Sequence, residues 1–372
     1  MVKIISYLML LPMSIFGQSD SISTLLKTKI NHEGQNPVHS ILLQIENDSK
    51  KFSYKQGFGL VDKNGAPVTK DSAFKIASST KLFVSTIVLQ LEEEGKLTIN
   101  DLIGPYLQSI NYLNFDNLHH YQGAKYAQDI TIEHLLSHRS GLADIFTDKQ
   151  HEFFELLFSN PTVNYSPESL IKLYYQMNLN NLSHFDPDQG WHYSDVNYLL
   201  LGLLIEQVDN VTLAQSIRNR ILEPLQMEDT FFEYYEAPKK TPLLIKQYVG
   251  AVNFSNINTS FDWSGGGVVS TNNDLTTFIK ALFEFKLISE QSLTKMTAVR
   301  FTKKNESRYG LGVYEFTLDN DTYFGHFGFY NTFVGYCPTS GTSLSYSISQ
   351  ATPNFNTYQF IGELLRQIDI EN

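Results

Sequence analysis

Strand-like segments stand at both ends of the chain, and the residues between them are helix-like. Apolar residues flanked by turn residues mark the strand candidates, which are 38–45, 52–61, 323–329, 332–337 and 343–349. The first two are separated by a polar turn and predict an N-terminal hairpin. An amphipathic segment at 356–368 predicts a final helix. A single sheet built from these strands has to join opposite ends of the chain, with a helical insertion between them.

The middle of the chain, from 101 to about 245, is predicted to be mostly helical. Its helix candidates are 132–138, 152–158, 167–177 and 196–208, with loops rich in Asn, Asp, Pro and Gly between them. The predicted fold class is α+β, an antiparallel sheet flanked by helices with an inserted, mostly helical subdomain. We expect one domain over 18–372, with its α/β part at about 18–100 and 246–372 and its helical part at about 101–245.

The first 17 residues are typical of a secretory signal peptide. Lys3 precedes an apolar run at 4–16, and Gly17 stands just before a polar stretch. The run is too short to span a bilayer, and Pro12 disfavours the alternative of a buried N-terminal helix. We therefore expect cleavage near Gly17, no stable membrane anchor afterwards, and a periplasmic or secreted mature protein.

Composition argues against several classes of protein. The chain has 28 basic and 39 acidic residues and a formal net charge of -11, which disfavours binding to nucleic acid. Its single cysteine, Cys337, allows neither an internal disulfide nor a cysteine-based zinc site. The pair His119–His120 and the set His184, Asp186, Asp188 and His192 match no metal-ligand spacing and are interpreted as solvated loop residues. We expect a monomer that needs neither a metal nor a cofactor.

The first candidate for chemistry opens an apolar segment. Residues 82–94 contain neither Gly nor Pro and are apolar nearly all round, which predicts a core helix that ends at Gly95. Ser78 stands at its start, and Lys81 lies one turn further on the same face. A serine becomes a nucleophile when a neighbouring base takes its proton, and a free N–H at a helix start can stabilise an oxyanion. A purely structural serine cap explains Ser78 alone equally well.

Two further segments, around Tyr193 and at 325–328, become candidates for chemistry because of Ser78 and Lys81. The S-x-x-K pattern recurs at Ser72, Ser169 and Ser292, but only Ser78 opens an apolar helix after a hairpin. Tyr193 can act as a base only beside positive charge, which Lys81 would supply. Taken alone, it is better interpreted as a core or surface aromatic. The segment 325–328 (GHFG) lies in a strand candidate, where a glycine admits a ligand or a packed backbone.

The order of these segments resembles that of the β-lactamase-related serine hydrolases, which include class C β-lactamases, serine D,D-peptidases and similar esterases. The resemblance covers nearly all of the expected mature chain. The matching segments are 74–81 around Ser78, 135–142 (LLSHRSGL), Tyr193–Ser194–Asp195 in place of Y-x-N, 265–271 (GGGVVST), and His326–Phe327–Gly328 in place of K-T-G or H-T-G.

The resemblance implies an acyl-enzyme mechanism on a small-molecule or peptide acyl substrate, an amide or an ester. It implies that Ser78 is acylated, that Lys81 and Tyr193 move the proton, and that the N–H groups of Ser78 and Phe329 form the oxyanion hole. Substrate contacts are expected from Asp195, His326, Phe327 and Gly328. D-amino-acid peptides, β-lactams and simple esters all remain open as substrates. A second interpretation is a catalytically silent relative that binds cell-wall peptides or a protein partner.

Two departures from the family pattern bear on the substrate. Asp195 replaces an asparagine, and a carboxylate cannot donate to a substrate carbonyl; it either pairs with Lys81 or caps the next helix. His326 and Phe327 replace a fixed cation and a hydroxyl that would hold a substrate carboxylate, so we predict weak β-lactam hydrolysis and better activity on uncharged esters or amides. Because strand side chains alternate, Phe327 can also face the core. Groups that could restore the lost contacts are Ser270, Thr271, Arg300 and Arg308.

Overall fold

The computed structural model describes residues 14–300 and 308–368. The α-helices are α1 (Ser14–Thr28), α2 (Thr80–Glu93), α3 (Gly104–Leu107), α4 (Ile132–Leu136), α5 (Gln150–Ser159), α6 (Pro167–Gln176), α7 (Asp195–Asp209), α8 (Leu213–Ile217), α9 (Trp263–Gly266), α10 (Asn272–Phe283), α11 (Glu290–Thr297) and α12 (Thr357–Arg366). The β-strands are β1 (Ser40–Asn47), β2 (Phe52–Gly59), β3 (Phe74–Lys75), β4 (His120–Tyr121), β5 (Ala124–Lys125), β6 (Phe231–Phe232), β7 (Tyr248–Val249), β8 (Val252–Asn253), β9 (Val268–Ser270), β10 (Tyr314–Leu318), β11 (Asp321–Gly328), β12 (Thr332–Cys337) and β13 (Thr342–Ile348).

A six-stranded antiparallel sheet joins the two ends of the chain in the order β10-β11-β12-β13-β1-β2. Strand β1 pairs with β13, which places Leu43 opposite Tyr346, and with β2, which places Ile45 opposite Tyr54. The predicted N-terminal hairpin and the long-range sheet are therefore confirmed, as is the α+β fold class.

Helices cover both faces of this sheet, since the alternating side chains of its strands are apolar on both. On one face, α1 and α12 bury Ile22 and Leu364 against strand residues such as Ile41 and Tyr346. On the other face, α10 packs against β1, β12 and β13, while α2 contacts β11 and α7. The second face therefore meets the inserted helices, and the candidate active site lies at that junction.

Helix α2 runs through the centre of the molecule because little of its surface is polar. Residues 80–89 and Leu91 are buried, and the ring of Phe83 stacks on Phe278 of α10 with centroids 4.1 Å apart. The helix stops where the sequence predicts it to stop, with Gly95 at a φ of +69°. That left-handed conformation favours glycine, which closes the helix.

No serine side chain caps the start of α2, so the structural alternative considered for Ser78 is not what the structure shows. Ser79 occupies the N-cap position but makes no side-chain capping hydrogen bond. Its Oγ instead donates to the carbonyl oxygen of His326 in β11 at 2.9 Å. This hydrogen bond holds the start of α2 against the edge of the sheet.

Several short strands were not predicted from the sequence. The expected signal peptide lies mostly outside the described residues. Strand β10 and the small sheet β3-β9-β6 were not predicted, because two to five residues are too few to reveal a strand period. Most of the expected signal peptide, residues 1–13, is not described, and α1 begins at Ser14. Within 14–300 and 308–368, no helix is both long and apolar enough to cross a bilayer.

Candidate active site

Ser78 lies in a tight turn between the small sheet and helix α2. The 3₁₀ turn Ala77–Ser79 directly precedes α2, and β3 before it pairs with β9. Ala77 has a φ of +47°, which is uncommon for a residue with a Cβ. A residue held in such a conformation needs support from its surroundings and is often found at a functional site. The turn brings the Ser78 side chain to the wall of a cavity.

Lys81 is the polar centre of the site. Its side chain is fully buried, and its Nζ donates to Oγ of Ser78 at 3.1 Å, to Oδ1 of Asp195 at 2.5 Å and to the carbonyl oxygen of Gly265 at 2.8 Å. An ammonium group has three donors and no acceptor, so these three partners satisfy it completely. The arrangement favours Lys81 as a charged ammonium that donates to Ser78.

Asp195 resolves one alternative that the sequence leaves open. It pairs with Lys81 and does not cap α7, because Ser194 is the N-cap residue and no side-chain cap is formed. The N–H of Asp195 donates to Oδ1 of Asp144 at 2.7 Å. Burial, and then the charge of Asp195, raise the pKa of the Asp144 carboxyl to about 7. A second carboxyl therefore supports the residue that pairs with the lysine.

Tyr193 lies beside Lys81 but is not activated by it. Lys81 Nζ is 5.0 Å from the centroid of the Tyr193 ring, and the ring of His138 packs on that tyrosine at 4.2 Å. Burial, and then the charge of Asp195, raise the pKa of Tyr193 well above its ordinary value, although a hydrogen bond with Ser78 lowers it. The positive charge expected to make this phenol a base is already paired with Asp195. With its pKa raised, Tyr193 keeps its proton at neutral pH.

Two backbone N–H groups are free to receive an oxyanion. Ser78 and Phe329 both border the cavity. Within the described residues, neither backbone N–H donates a hydrogen bond to the protein. Unpaired backbone donors facing a ligand cavity are suited to an oxygen that gains negative charge.

The strand segment 326–328 provides no charge to the cavity. The His326 ring contacts the carbonyl oxygen of Phe327 at 2.7 Å and the hydroxyl of Tyr309 at 3.1 Å. Burial, and then the charge of Lys81, lower the pKa of His326 to about 3, so its ring is neutral. Phe327 borders the cavity, but its ring packs against Phe316 and Phe333. The segment 326–328 therefore offers neither a fixed cation nor a hydroxyl.

Gly328 has a packing role as well as its place in the motif. A Cβ at this position would collide with the carbonyl oxygen of Ile76 and the side chain of Thr332. The glycine therefore lets the end of β11 approach the turn that carries Ser78.

The four groups considered as replacements for the lost contacts are all engaged outside the cavity. Their partners are Thr230 for Ser270, the N–H of Asp274 for Thr271, Glu133 for Arg300 and Glu315 for Arg308. None of the four is among the described residues that line the cavity.

The cavity has a volume of about 380 Å³ and mostly aromatic walls. This size suits a single small ligand. The phenylalanines and tyrosines that line it are Phe146, Phe153, Phe154, Phe254, Phe261, Phe327, Phe329, Tyr193, Tyr314 and Tyr330. Asp262 also borders it. Sequence analysis missed both Asp144 and Asp262, because each is a lone acidic residue with no spacing that marks it, although each lies close to a matched segment.

Two histidines of the set interpreted as solvated loop residues, His184 and His192, meet an aspartate outside that set, Asp148. The same interpretation is wrong for His119, which is fully buried. The Nε2 atoms of His184 and His192 lie 2.9 and 3.0 Å from the same Oδ2 of Asp148. The two rings are stacked at 3.6 Å. The geometry favours a carboxylate shared by two histidines, and the expected absence of a metal stays a prediction.

The antiparallel sheet, the helical insertion, and a serine just before a buried helix whose first turn carries a lysine together define the β-lactamase/transpeptidase-like fold. The chain matches the profile of the family described as Beta-lactamase over residues 47–361 and belongs to that family. The penicillin-binding-like protein PbpX of Bacillus subtilis strain 168 is 29% identical over 269 residues, which are 70% of this chain and 58% of that protein.

Solved structures show the same fold at low sequence identity. A D-stereospecific amidohydrolase from a Streptomyces species superposes with a TM-score of 0.76 and 20% identity, covering 92% of this chain and 97% of that one. The D-amino acid amidase of Ochrobactrum anthropi SV3, complexed with D-phenylalanine, gives a TM-score of 0.74 and 20% identity, covering 96% and 99%.

Proposed function

We propose that this protein is an acyl-serine hydrolase that cleaves an amide or ester through an acyl-enzyme on Ser78. The observation that carries the proposal is the 3.1 Å hydrogen bond between Lys81 Nζ and Ser78 Oγ at the wall of the cavity. The two unpaired N–H groups of Ser78 and Phe329 support it, because they can stabilise the oxygen of a tetrahedral intermediate.

The proton route follows from the resting contacts. Lys81 passes a proton to Asp195 across their 2.5 Å contact, and the neutral amine then accepts the proton of Ser78 as its oxygen attacks the acyl carbon. Tyr193, protonated because of its raised pKa, donates its proton to the departing amine or alcohol. Lys81 then returns a proton to Tyr193. Water reverses these steps to release the acid.

The alternative of a catalytically silent binding protein is favoured by one specific observation. Lys81 has three acceptors around its ammonium group, and the raised pKa of Tyr193 keeps the phenol protonated. Neither group is a base in the resting state. Unless the proton moves to Asp195, Ser78 is not activated.

The substrate class is proposed from the cavity walls. Its aromatic lining and the neutral His326 favour an acyl group without a carboxylate. The fold resembles that of a D-stereospecific amidohydrolase and of an amidase solved with D-phenylalanine. This resemblance supports a small amide with an apolar side chain as the substrate. β-Lactams and D-alanyl peptides, which carry a carboxylate, are the less favoured substrates.

Labelling with a fluorophosphonate tests the proposed function. Mass spectrometry is expected to find one adduct, on the peptide that contains Ser78, and none in the Ser78→Ala variant. Ser169 and Ser292 serve as internal controls, because both hydroxyls take part in helix-cap hydrogen bonds. Absence of an adduct, or an adduct on either control serine, would reject the assignment and favour the silent alternative.

A further inference from the structure

Asp262 is a carboxylate that borders the cavity and has no partner in the described part of the chain. Its side chain makes no hydrogen bond and no ion pair there. We propose that Asp262 binds the ammonium group of the substrate, so that the site takes an amine-bearing acyl group with an apolar side chain. This inference rests on the proposed function, because it names the substrate of the same cavity.

The backbone holds Asp262 close to the nucleophile. Asp262 ends the 3₁₀ turn Ser260–Asp262, and Trp263 after it has a φ of +25°. A Cβ placed on Gly266 would lie 3.2 Å from Cγ of Asp262 and 3.3 Å from the carbonyl carbon of Ala77, so both flank the same glycine. Ala77 directly precedes Ser78. The unpaired carboxylate and the residue before the reacting serine therefore meet at the same glycine.

The charges around Asp262 leave an excess of carboxylates. Lys75 is 2.9 Å from Glu233, and Lys81 is 2.5 Å from Asp195, so each nearby lysine already has an acidic partner. Asp262 has no cation of its own among the described residues. A ligand ammonium would supply the missing counter-ion, whereas a ligand carboxylate would add to the repulsion.

The acid–base behaviour of Asp262 agrees with this role. Burial, and then the charge of Asp195, raise the pKa of Asp262 to about 7, although Lys75 and Lys81 lower it and Glu233 adds to the rise. Such a carboxyl is costly to ionise without a partner. A bound cation removes that cost, so ligand binding and ionisation of Asp262 favour each other.

The walls around Asp262 fit the rest of the ligand. Phe146 and Phe261 line the same cavity, and both also border a small recess next to Asp262. Aromatic faces bind apolar groups and attract nearby cations. An ammonium next to a phenyl or alkyl group therefore meets both kinds of contact.

Calorimetry on Ser78→Ala tests the inference without relying on turnover. The probes are 2-phenylethylamine, which is cationic, and 2-phenylethanol, its neutral counterpart, at pH 8, where Asp262 is ionised. The Ser78→Ala protein is expected to bind the amine at least about tenfold more tightly. Adding Asp262→Asn is expected to reduce this preference to about twofold or less. Adding the exposed control Asp116→Asn should leave it intact.

A pH change gives a second measurement if Asp262→Asn does not fold. At pH 5.5 Asp262 is protonated and carries no charge. The preference of Ser78→Ala for the amine over the alcohol should therefore be smaller at pH 5.5 than at pH 8, as it is expected to be in Asp262→Asn. Equal binding of the amine and the alcohol at pH 8, or a preference that survives Asp262→Asn, would overturn the inference.

The two proposals fail in different ways. Fluorophosphonate labelling of wild-type Ser78 without an amine preference rejects the ammonium site and leaves the hydrolase. An amine preference without labelling keeps the ammonium site and rejects the hydrolase.

Discussion

Lys81 Nζ lies 2.5 Å from Oδ1 of Asp195, a residue 114 positions further along the chain. The family pattern has an asparagine at this position, which would leave the lysine without an acidic partner. With the carboxylate present, the ammonium form of Lys81 is stabilised by charge as well as by hydrogen bonds. This one substitution changes how the site can move a proton.

Replacing Asp195 by asparagine is expected to lower kcat/KM by about two orders of magnitude or more. The amide keeps a hydrogen-bond acceptor for Lys81, but it cannot take the proton that the proposed route passes from Lys81 to Asp195. Lys81 then has no acceptor for that proton, so Ser78 is not activated. The measurement is kcat/KM for a neutral p-nitrophenyl ester, with the exposed Asp116→Asn as the matched control. Wild-type turnover by Asp195→Asn would show that proton transfer to Asp195 does not control activation.

Lys81 and Tyr193 are expected to act as one unit. Lys81→Ala and Tyr193→Phe should each lower kcat by orders of magnitude, because the proton route uses both residues. The double variant should be little worse than the poorer single variant, since the effects of coupled catalytic groups are not additive. Losses that multiply would show independent roles. Urea unfolding of all three variants checks that the changes act on catalysis and not on folding.

Local spacing explains why part of the site is visible in the sequence. Ser78 and Lys81 are one helical turn apart, so their proximity follows from helix geometry alone. Asp195 and Asp262 meet Lys81 and the Ser78 turn only after α7 and α9 have packed against α2. No local pattern predicts such contacts. That is why the pairing of Asp195 stayed open and Asp262 was missed.

In the fold as well, elements with a strong local sequence pattern were predicted and elements with a weak one were not. Strands β12 and β13 were predicted almost to the residue, because apolar residues and turn residues define them. Strand β10 is an edge strand of five residues with Glu315 and Thr317 among its side chains, which weakens its apolar signal. The serine cap considered at the start of α2 is absent for a different reason, because the N-cap residue Ser79 donates to the carbonyl oxygen of His326 in β11 instead.

Asp262 is expected to make the folded protein less stable as the pH rises. Its pKa is about 7 in the folded state and near the ordinary 3.8 when unfolded. Between about pH 4 and pH 7 the folded state therefore binds more protons than the unfolded state, and the free energy of unfolding falls with rising pH. Asp262→Asn removes this contribution, so the variant should gain stability relative to wild type between pH 4.5 and pH 8.

Urea unfolding at both pH values measures this effect. Buried histidines such as His326, with a lowered pKa, change stability in the opposite direction. They are present in both proteins and cancel in the comparison. An equal difference between variant and wild type at the two pH values would contradict the raised pKa of Asp262.

The protein is expected to prefer an uncharged acyl substrate to one that carries a carboxylate. The segment 326–328 offers a neutral histidine and a phenylalanine whose ring packs with Phe316 and Phe333, so a substrate carboxylate loses both a charge-assisted and a neutral hydrogen bond. Each such bond contributes roughly 1 to 3 kcal/mol, so the two together correspond to about two orders of magnitude or more in kcat/KM. The measurement compares nitrocefin, a D-alanyl-D-alanine peptide and p-nitrophenyl butyrate at pH 7. Tenfold better turnover of nitrocefin or the peptide than of the ester would refute the argument.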